Sequence, residues 1–111
     1  MEYSEPQPIE RDDVLSALAS ADEDLAAEAI IRMSYCELDN KWAEQICLSA
    51  LTDPRRRVKI AALTGVGNLA RRFRKLNCDK FLPVIQDLLG DAEYRGIAQD
   101  ALDDIAMFVS I

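Results

Sequence analysis

Apolar residues follow the spacing of helices along this chain, and one helical pattern recurs three times. The segment Leu15–Leu18 recurs 33 residues later as Leu48–Leu51. Matching apolar positions in the second half of each unit are Leu25, Ala29 and Ile30, then Val58, Ala62 and Leu63, then, after a small shift, Ile97, Ala101 and Leu102. A repeat of this length without the alternation of strands is typical of stacked helical hairpins. The pattern predicts an all-α fold, a short α-solenoid of three hairpins with about six helices.

Capping and breaking residues divide this pattern into helices. The predicted helices span about residues 9–19, 22–36, 39–51, 54–75, 79–89 and 92–108. Asp53 and Pro54 predict the start of the fourth helix, because aspartate can cap a first turn and proline lacks an amide hydrogen that would be unpaired there. Asn77 is expected as a left-handed stop. Pro83 should lie in the opening turn of the fifth helix or mark its true start.

Small residues indicate where helices pack closely. Gly65 and Gly67 lie inside the fourth predicted helix, where each lowers helix propensity by roughly 1 kcal/mol relative to alanine. We therefore expect a close helix crossing or a bend there. Cys36 and Cys47 fall on packing faces and are expected to be buried apolar fillers, whereas Cys78, in a turn, is expected to be more exposed.

The length of 111 residues fits a single domain. The proline-containing segment 1–8 predicts a flexible tail, and 9–111 a single repeat domain. Its repeats are predicted at about 9–38, 39–76 and 79–110.

Charge is segregated by repeat within a net charge of −7. Residues 1–40 carry a net charge of −9, residues 41–80 carry +7, and residues 81–111 carry −5. Such alternation can steer a charged partner or join neighbouring repeats to each other. An acidic chain overall argues against nucleic acid as its main partner.

The composition argues against several kinds of metal, disulfide and catalytic site. The chain has no histidine and an odd number of cysteines, three, at wide spacing, which argues against a zinc site, a disulfide framework and an imidazole-activated nucleophile. We therefore expect no enzyme activity, cofactor or metal. The sequence shows neither a secretory leader nor a membrane span, so a cytoplasmic protein is expected.

The segment Leu51–Leu63 resembles the turn and second helix of the HEAT-repeat family. It holds the Asp53-Pro54 turn, then Val58 with a following base, then small residues and a leucine. The resemblance covers about residues 9–110 and implies a right-handed solenoid of three HEAT-like hairpins, with first helices on the convex side and second helices along a concave groove. HEAT arrays mostly bind proteins, and some bacterial relatives bind DNA or act as tetrapyrrole lyases. The repeat alone fixes none of these activities.

Three surfaces are candidates for binding. The second helices of repeats one and three carry carboxylates, and alignment places Glu28 and Asp100 on the same side of the concave surface. A basic set in the middle repeat, centred on Arg55–Arg57, either contacts phosphate or pairs with the acidic turns of flanking repeats. Exposed tyrosines are candidate anchors. The predicted partner-binding residues are Glu23, Asp24, Glu28, Tyr35, Tyr94, Asp100, Asp103 and Asp104.

These features favour a small acidic protein-binding module that is a monomer when unbound and engages a basic protein partner. In size, charge and self-containment it resembles bacterial immunity proteins, some of which are HEAT-like and neutralise a cationic nuclease toxin. The alternatives are a nucleic-acid-binding HEAT-like protein that uses the basic middle repeat, and an adaptor or self-associating scaffold subunit.

Overall fold

The computed structural model describes residues 7–109 of the chain. This part forms six α-helices joined by turns and contains no strand. The predicted helix count and the all-α class are therefore confirmed, while most of the predicted tail, residues 1–6, lies outside the described part. The helices are α1 (Arg11–Ala19), α2 (Glu23–Cys36), α3 (Asn40–Leu51), α4 (Arg56–Phe73), α5 (Cys78–Leu89) and α6 (Arg95–Phe108).

Two aspartates cap helices where the sequence predicts. The carboxylate of Asp22 accepts a hydrogen bond from the amide of Leu25 at 3.1 Å. The carboxylate of Asp39 accepts from the amides of Lys41 and Trp42, at 3.0 and 3.3 Å. Each satisfies donors that a first helical turn leaves unpaired. The starts of α2 and α3 are thus confirmed.

The predicted start of α4 is wrong by two residues. Asp53 does not cap the helix. Its carboxylate accepts the amide of Arg55 at 2.9 Å and also pairs with the Arg55 guanidinium at 3.0 Å. These contacts close a tight turn around Pro54, so that Arg55 takes the N-cap position and the helix begins at Arg56.

The connection from α4 to α5 also differs from the prediction. The left-handed residue is Arg74, with φ of 55°, and its amide bonds to the Ala70 carbonyl. Asn77 has φ of −76° and is the N-cap of α5 instead of a stop. Pro83 lies inside α5, beyond its opening turn. The proline is exposed, so water can satisfy the carbonyl that its missing amide leaves unpaired.

The sixth helix begins at Arg95, later than predicted. A turn precedes it, in which the Tyr94 amide bonds to the Asp91 carbonyl at 3.0 Å. The Asp91 carboxylate accepts the Glu93 amide at 2.9 Å. The Asp91 side chain therefore stabilises the turn, and α6 begins only after the turn ends.

The even-numbered helices form one layer, and the odd-numbered helices lie on its other side. α4 is central, since it packs against α2, α3 and α6. Polar contacts between repeats recur at separations of 33 and 34 residues, as between Arg57 and Asp24, Asn68 and Ser34, or Arg71 and Asp104. They join like ends of neighbouring helices, so α2, α4 and α6 run in the same direction. This arrangement agrees with the predicted stack of hairpins, and its core includes residues from all six helices.

Close packing at the two α4 glycines is confirmed. A Cβ on Gly65 would lie 3.2 Å from the Cys47 sulfur and 3.5 Å from the Ser34 Cβ. A Cβ on Gly67 would collide with the Asp104 carboxylate. The missing side chains therefore let α4 approach α2 and α3 on one side and α6 on the other.

All three cysteines are free thiols. Cys47 is fully buried, as predicted. Cys36 and Cys78 are both half-buried, so Cys36 is less buried and Cys78 less exposed than expected. Burial raises the pKa of the Cys47 thiol to about 12, with Glu44 adding to the effect.

Candidate surface for partner binding

The basic middle repeat is joined to both acidic neighbours. The Arg57 guanidinium pairs with Asp24 at 2.7 Å, and the Arg57 amide donates to the Glu23 carboxylate at 2.6 Å. On the other side, Arg56 pairs with Glu93. The alternating charges seen in the sequence thus link the first turn of α4 to both neighbouring repeats.

Arg55 completes this set of internal contacts. Its guanidinium donates to the carbonyls of Ser20 and Leu18, at 2.8 and 2.9 Å, across the α1–α2 turn. Its bond to Asp53 holds the pKa of that carboxyl below its usual range. The sequence left open whether Arg55–Arg57 pair internally or contact a ligand, and all three pair internally.

A second link crosses the even-numbered layer near its other end. The buried Asn68 amide donates to the Ser34 hydroxyl at 2.9 Å, and the hydroxyl donates to the Ile31 carbonyl. The Asn68 oxygen accepts from Arg71, whose guanidinium also pairs with Asp104 at 2.8 Å. A continuous polar chain therefore runs from α2 through α4 to α6.

These links engage three of the predicted partner-binding carboxylates. Glu23, Asp24 and Asp104 all contact arginines of α4. Each of these contacts joins two adjacent repeats, so these carboxylates are already engaged within the fold. Sequence analysis left open whether these acids pair with the basic middle repeat or bind a partner, since the pairing depends on side chains about 33 residues away.

Asp100 and Asp103 are the predicted acids that remain available on the last helix. Both are exposed on α6, and neither forms an ion pair with any described residue. Asp103 accepts only a hydrogen bond from Gln99, at 2.9 Å. Met107, one turn further along, is 73% exposed. The free face of α6 thus offers two carboxylates beside a flexible apolar side chain.

Glu28 is exposed but lies elsewhere. It borders a surface groove of about 260 Å³ between α1 and α2, together with Asp13 and Leu25. Because α4 packs against both α2 and α6, Glu28 and Asp100 lie on helices two positions apart in the layer, and their placement on one concave face stays a prediction. The groove itself was missed by sequence analysis, which assigned Leu25 to the packing face although it is half exposed.

The two predicted tyrosine anchors differ in how exposed their side chains are. Tyr35 is half exposed near the end of α2, close in sequence to the highly exposed Leu38, and stays a candidate anchor. Tyr94 is only 7% exposed and belongs to the hydrophobic core, so its prediction as a surface anchor is wrong. Burial raises the pKa of the Tyr94 hydroxyl, with nearby carboxylates adding to the effect.

Residues 7–109 contain neither a metal cluster nor a membrane-spanning helix. This part of the chain has no group of three or more histidine, cysteine or acidic side chains placed to hold a metal ion. Nor does any of its helices combine the length and the apolar character that crossing a membrane requires.

Comparison with known proteins identifies a similar solved structure. No family model matches this chain, and no curated protein matches it. The HEAT resemblance thus stays a prediction. The chain is similar, with 33% sequence identity and a TM-score of 0.83, to a chain in the crystal structure of a CDI complex from Cupriavidus taiwanensis LMG 19424. The alignment covers 97% of this chain and 96% of that chain. This protein therefore belongs to the same family as that subunit of the CDI complex.

Proposed function

We propose that this protein is an immunity protein, which binds and neutralises the toxin domain of a contact-dependent inhibition system. The supporting observation is the similarity, over nearly the full length of both chains, to a subunit of a CDI complex. Such complexes pair a toxin with its inhibitor. A shared fold at this level of identity supports a shared place in the complex.

The composition favours the inhibitor over the toxin. The chain contains no histidine and carries a net charge of −7, whereas a toxin that cleaves nucleic acid needs acid–base groups and a basic surface. The buried polar side chains among the described residues, Ser34 and Asn68, are hydrogen-bonded to each other. An acidic inhibitor suits a basic toxin through charge complementarity.

The surface we assign to toxin binding is the free face of α6. Asp100 and Asp103 are exposed and without ion pairs among the described residues, so they can accept salt bridges without weakening the fold. The adjacent Met107 supplies an adaptable apolar contact. Lysines and arginines that a nuclease toxin uses for phosphate would be covered by these carboxylates.

The first experiment is coexpression. Bacteria that produce the toxin domain encoded beside this chain should stop growing and should recover when this chain is coexpressed. Purified toxin domain and this chain should also form a stable complex in calorimetry. Growth arrest that persists in the presence of folded, soluble protein would contradict the immunity function.

The binding face is tested by matched charge reversals. Asp100→Lys with Asp103→Lys should slow association with the toxin roughly tenfold at low salt, with the effect shrinking as salt rises. The control, Asp12→Lys with Asp13→Lys, changes net charge equally at two exposed acids of α1. An equal or larger effect of the α1 pair would place the interface elsewhere.

A further inference from the structure

A groove among the odd-numbered helices is lined by lysines, in contrast to the carboxylates on the free face of α6. It has a volume of about 390 Å³ and lies between α3 and the segment that leads into α5. Lys41, Lys75 and Lys80 border it, and Leu48 and Leu76 supply apolar lining. Lys75 and Lys80 belong to one segment, and the fold brings Lys41 of α3 beside them.

Lysines and arginines have separate uses in this protein. Every ion pair among the described residues is made by an arginine. Of the four lysines in the chain, three border the groove, and the fourth, Lys59, donates to the Asp53 carbonyl. The three groove ammonium groups are exposed and have no carboxylate partner among residues 7–109.

The one carboxylate that lines the groove is already engaged. Glu44 accepts the Asn77 amide at 3.1 Å with one oxygen and the Asn40 side-chain amide at 3.3 Å with the other. It bridges α3 to the start of α5 and offsets only one of the three lysine charges. The groove therefore combines a net positive charge with the half-buried apolar side chains of Leu48 and Leu76.

We infer that this groove binds an acidic peptide segment of a partner protein, with carboxylates on the lysines and an apolar side chain against Leu48 and Leu76. The groove lining contains no arginine for bidentate phosphate contact and no aromatic ring for base stacking. The net charge of −7 also disfavours a polyanion that extends beyond the groove. A short acidic segment with an apolar side chain needs neither arginine nor aromatic contacts, and it does not extend beyond the groove.

The test uses fluorescence anisotropy with a labelled peptide of about ten residues, rich in glutamate with two leucines, at low salt. The protein should bind it, and Lys41→Gln with Lys80→Gln should weaken binding roughly fivefold. Lys59→Gln, the lysine outside the groove, should leave binding unchanged. Amide chemical shifts that change on peptide addition should cluster in α3 and the start of α5.

Three outcomes would overturn the inference. They are no binding of the acidic peptide, equal binding of a peptide with glutamine in place of glutamate, and tighter binding of single-stranded DNA at the same lysines. The toxin-binding proposal is tested with substitutions at Asp100 and Asp103, which lie on α6 in the even-numbered layer. Failure of one proposal is therefore distinguishable from failure of the other.

Discussion

At the scale of single residues, Cys47 shows how burial decides the chemistry of a side chain. Its sulfur is fully buried beside Gly65, and its pKa is raised to about 12. In the unfolded chain the thiol titrates near its ordinary value of 9.0. Between these two values, the unfolded state loses a proton that the folded state retains, so unfolding becomes more favourable as pH rises.

We therefore expect the free energy of unfolding to fall by about 1 to 2 kcal/mol from this thiol alone between about pH 7 and about pH 10. Urea unfolding at the two pH values measures the change. In Cys47→Ala the alkaline decrease should be smaller by that amount, although the variant is less stable throughout. An identical pH dependence in both proteins would contradict the assignment.

Residue by residue, sequence analysis succeeded where the contacts are local. Cys47 follows from helical spacing, and Asp22 caps a turn three residues away. Tyr94 and Arg55–Arg57 were harder, because their surroundings come from other repeats. The burial of Tyr94 and the pairing of Arg57 with Asp24 depend on how hairpins stack, which apolar spacing does not specify.

At the scale of elements, the contact between α4 and α6 depends on one missing side chain. Gly67 leaves room for the Asp104 carboxylate, which also pairs with Arg71. Alanine at this position would gain roughly 1 kcal/mol of helix propensity. The added methyl group would displace the carboxylate and separate it from Arg71, which offsets that gain.

The two effects can be separated with a double-mutant cycle. Gly67→Ala should be neutral or destabilising in the natural protein but stabilising by about 1 kcal/mol in an Asp104→Ala background. Gly96→Ala is the control, because no atom lies within 4 Å of its added Cβ and its effect should be the same in both backgrounds. Urea midpoints measure all the variants. Additive behaviour at Gly67 would contradict the packing described.

Element boundaries were predictable where no neighbouring residue in the sequence competes for the capping carboxylate. Asp39 caps α3 as expected, whereas Asp53 has an arginine two residues later that takes up its carboxylate. The same pattern of aspartate before a helix therefore gives a cap in one place and a turn in the other. Arg74 in the left-handed region was not foreseen, since a non-glycine residue there is uncommon.

At the scale of the whole molecule, the arginines of the middle repeat serve the internal structure. We expect no retention of duplex DNA in a gel shift at roughly 100 mM salt, because Arg55–Arg57 and Arg71 are engaged and the net charge is −7. A basic DNA-binding protein of similar size serves as positive control. Retention that weakens in Arg56→Gln would favour the nucleic-acid alternative.

The order of charge along the stack also limits how this protein can change in length. Arg57 meets an acid of the preceding unit, and Arg56 and Arg71 meet acids of the following one. A tandem duplication of the central hairpin would bring guanidinium groups against guanidinium groups at the new junction. Lengthening the array therefore requires compensating substitutions at the new junction between hairpins.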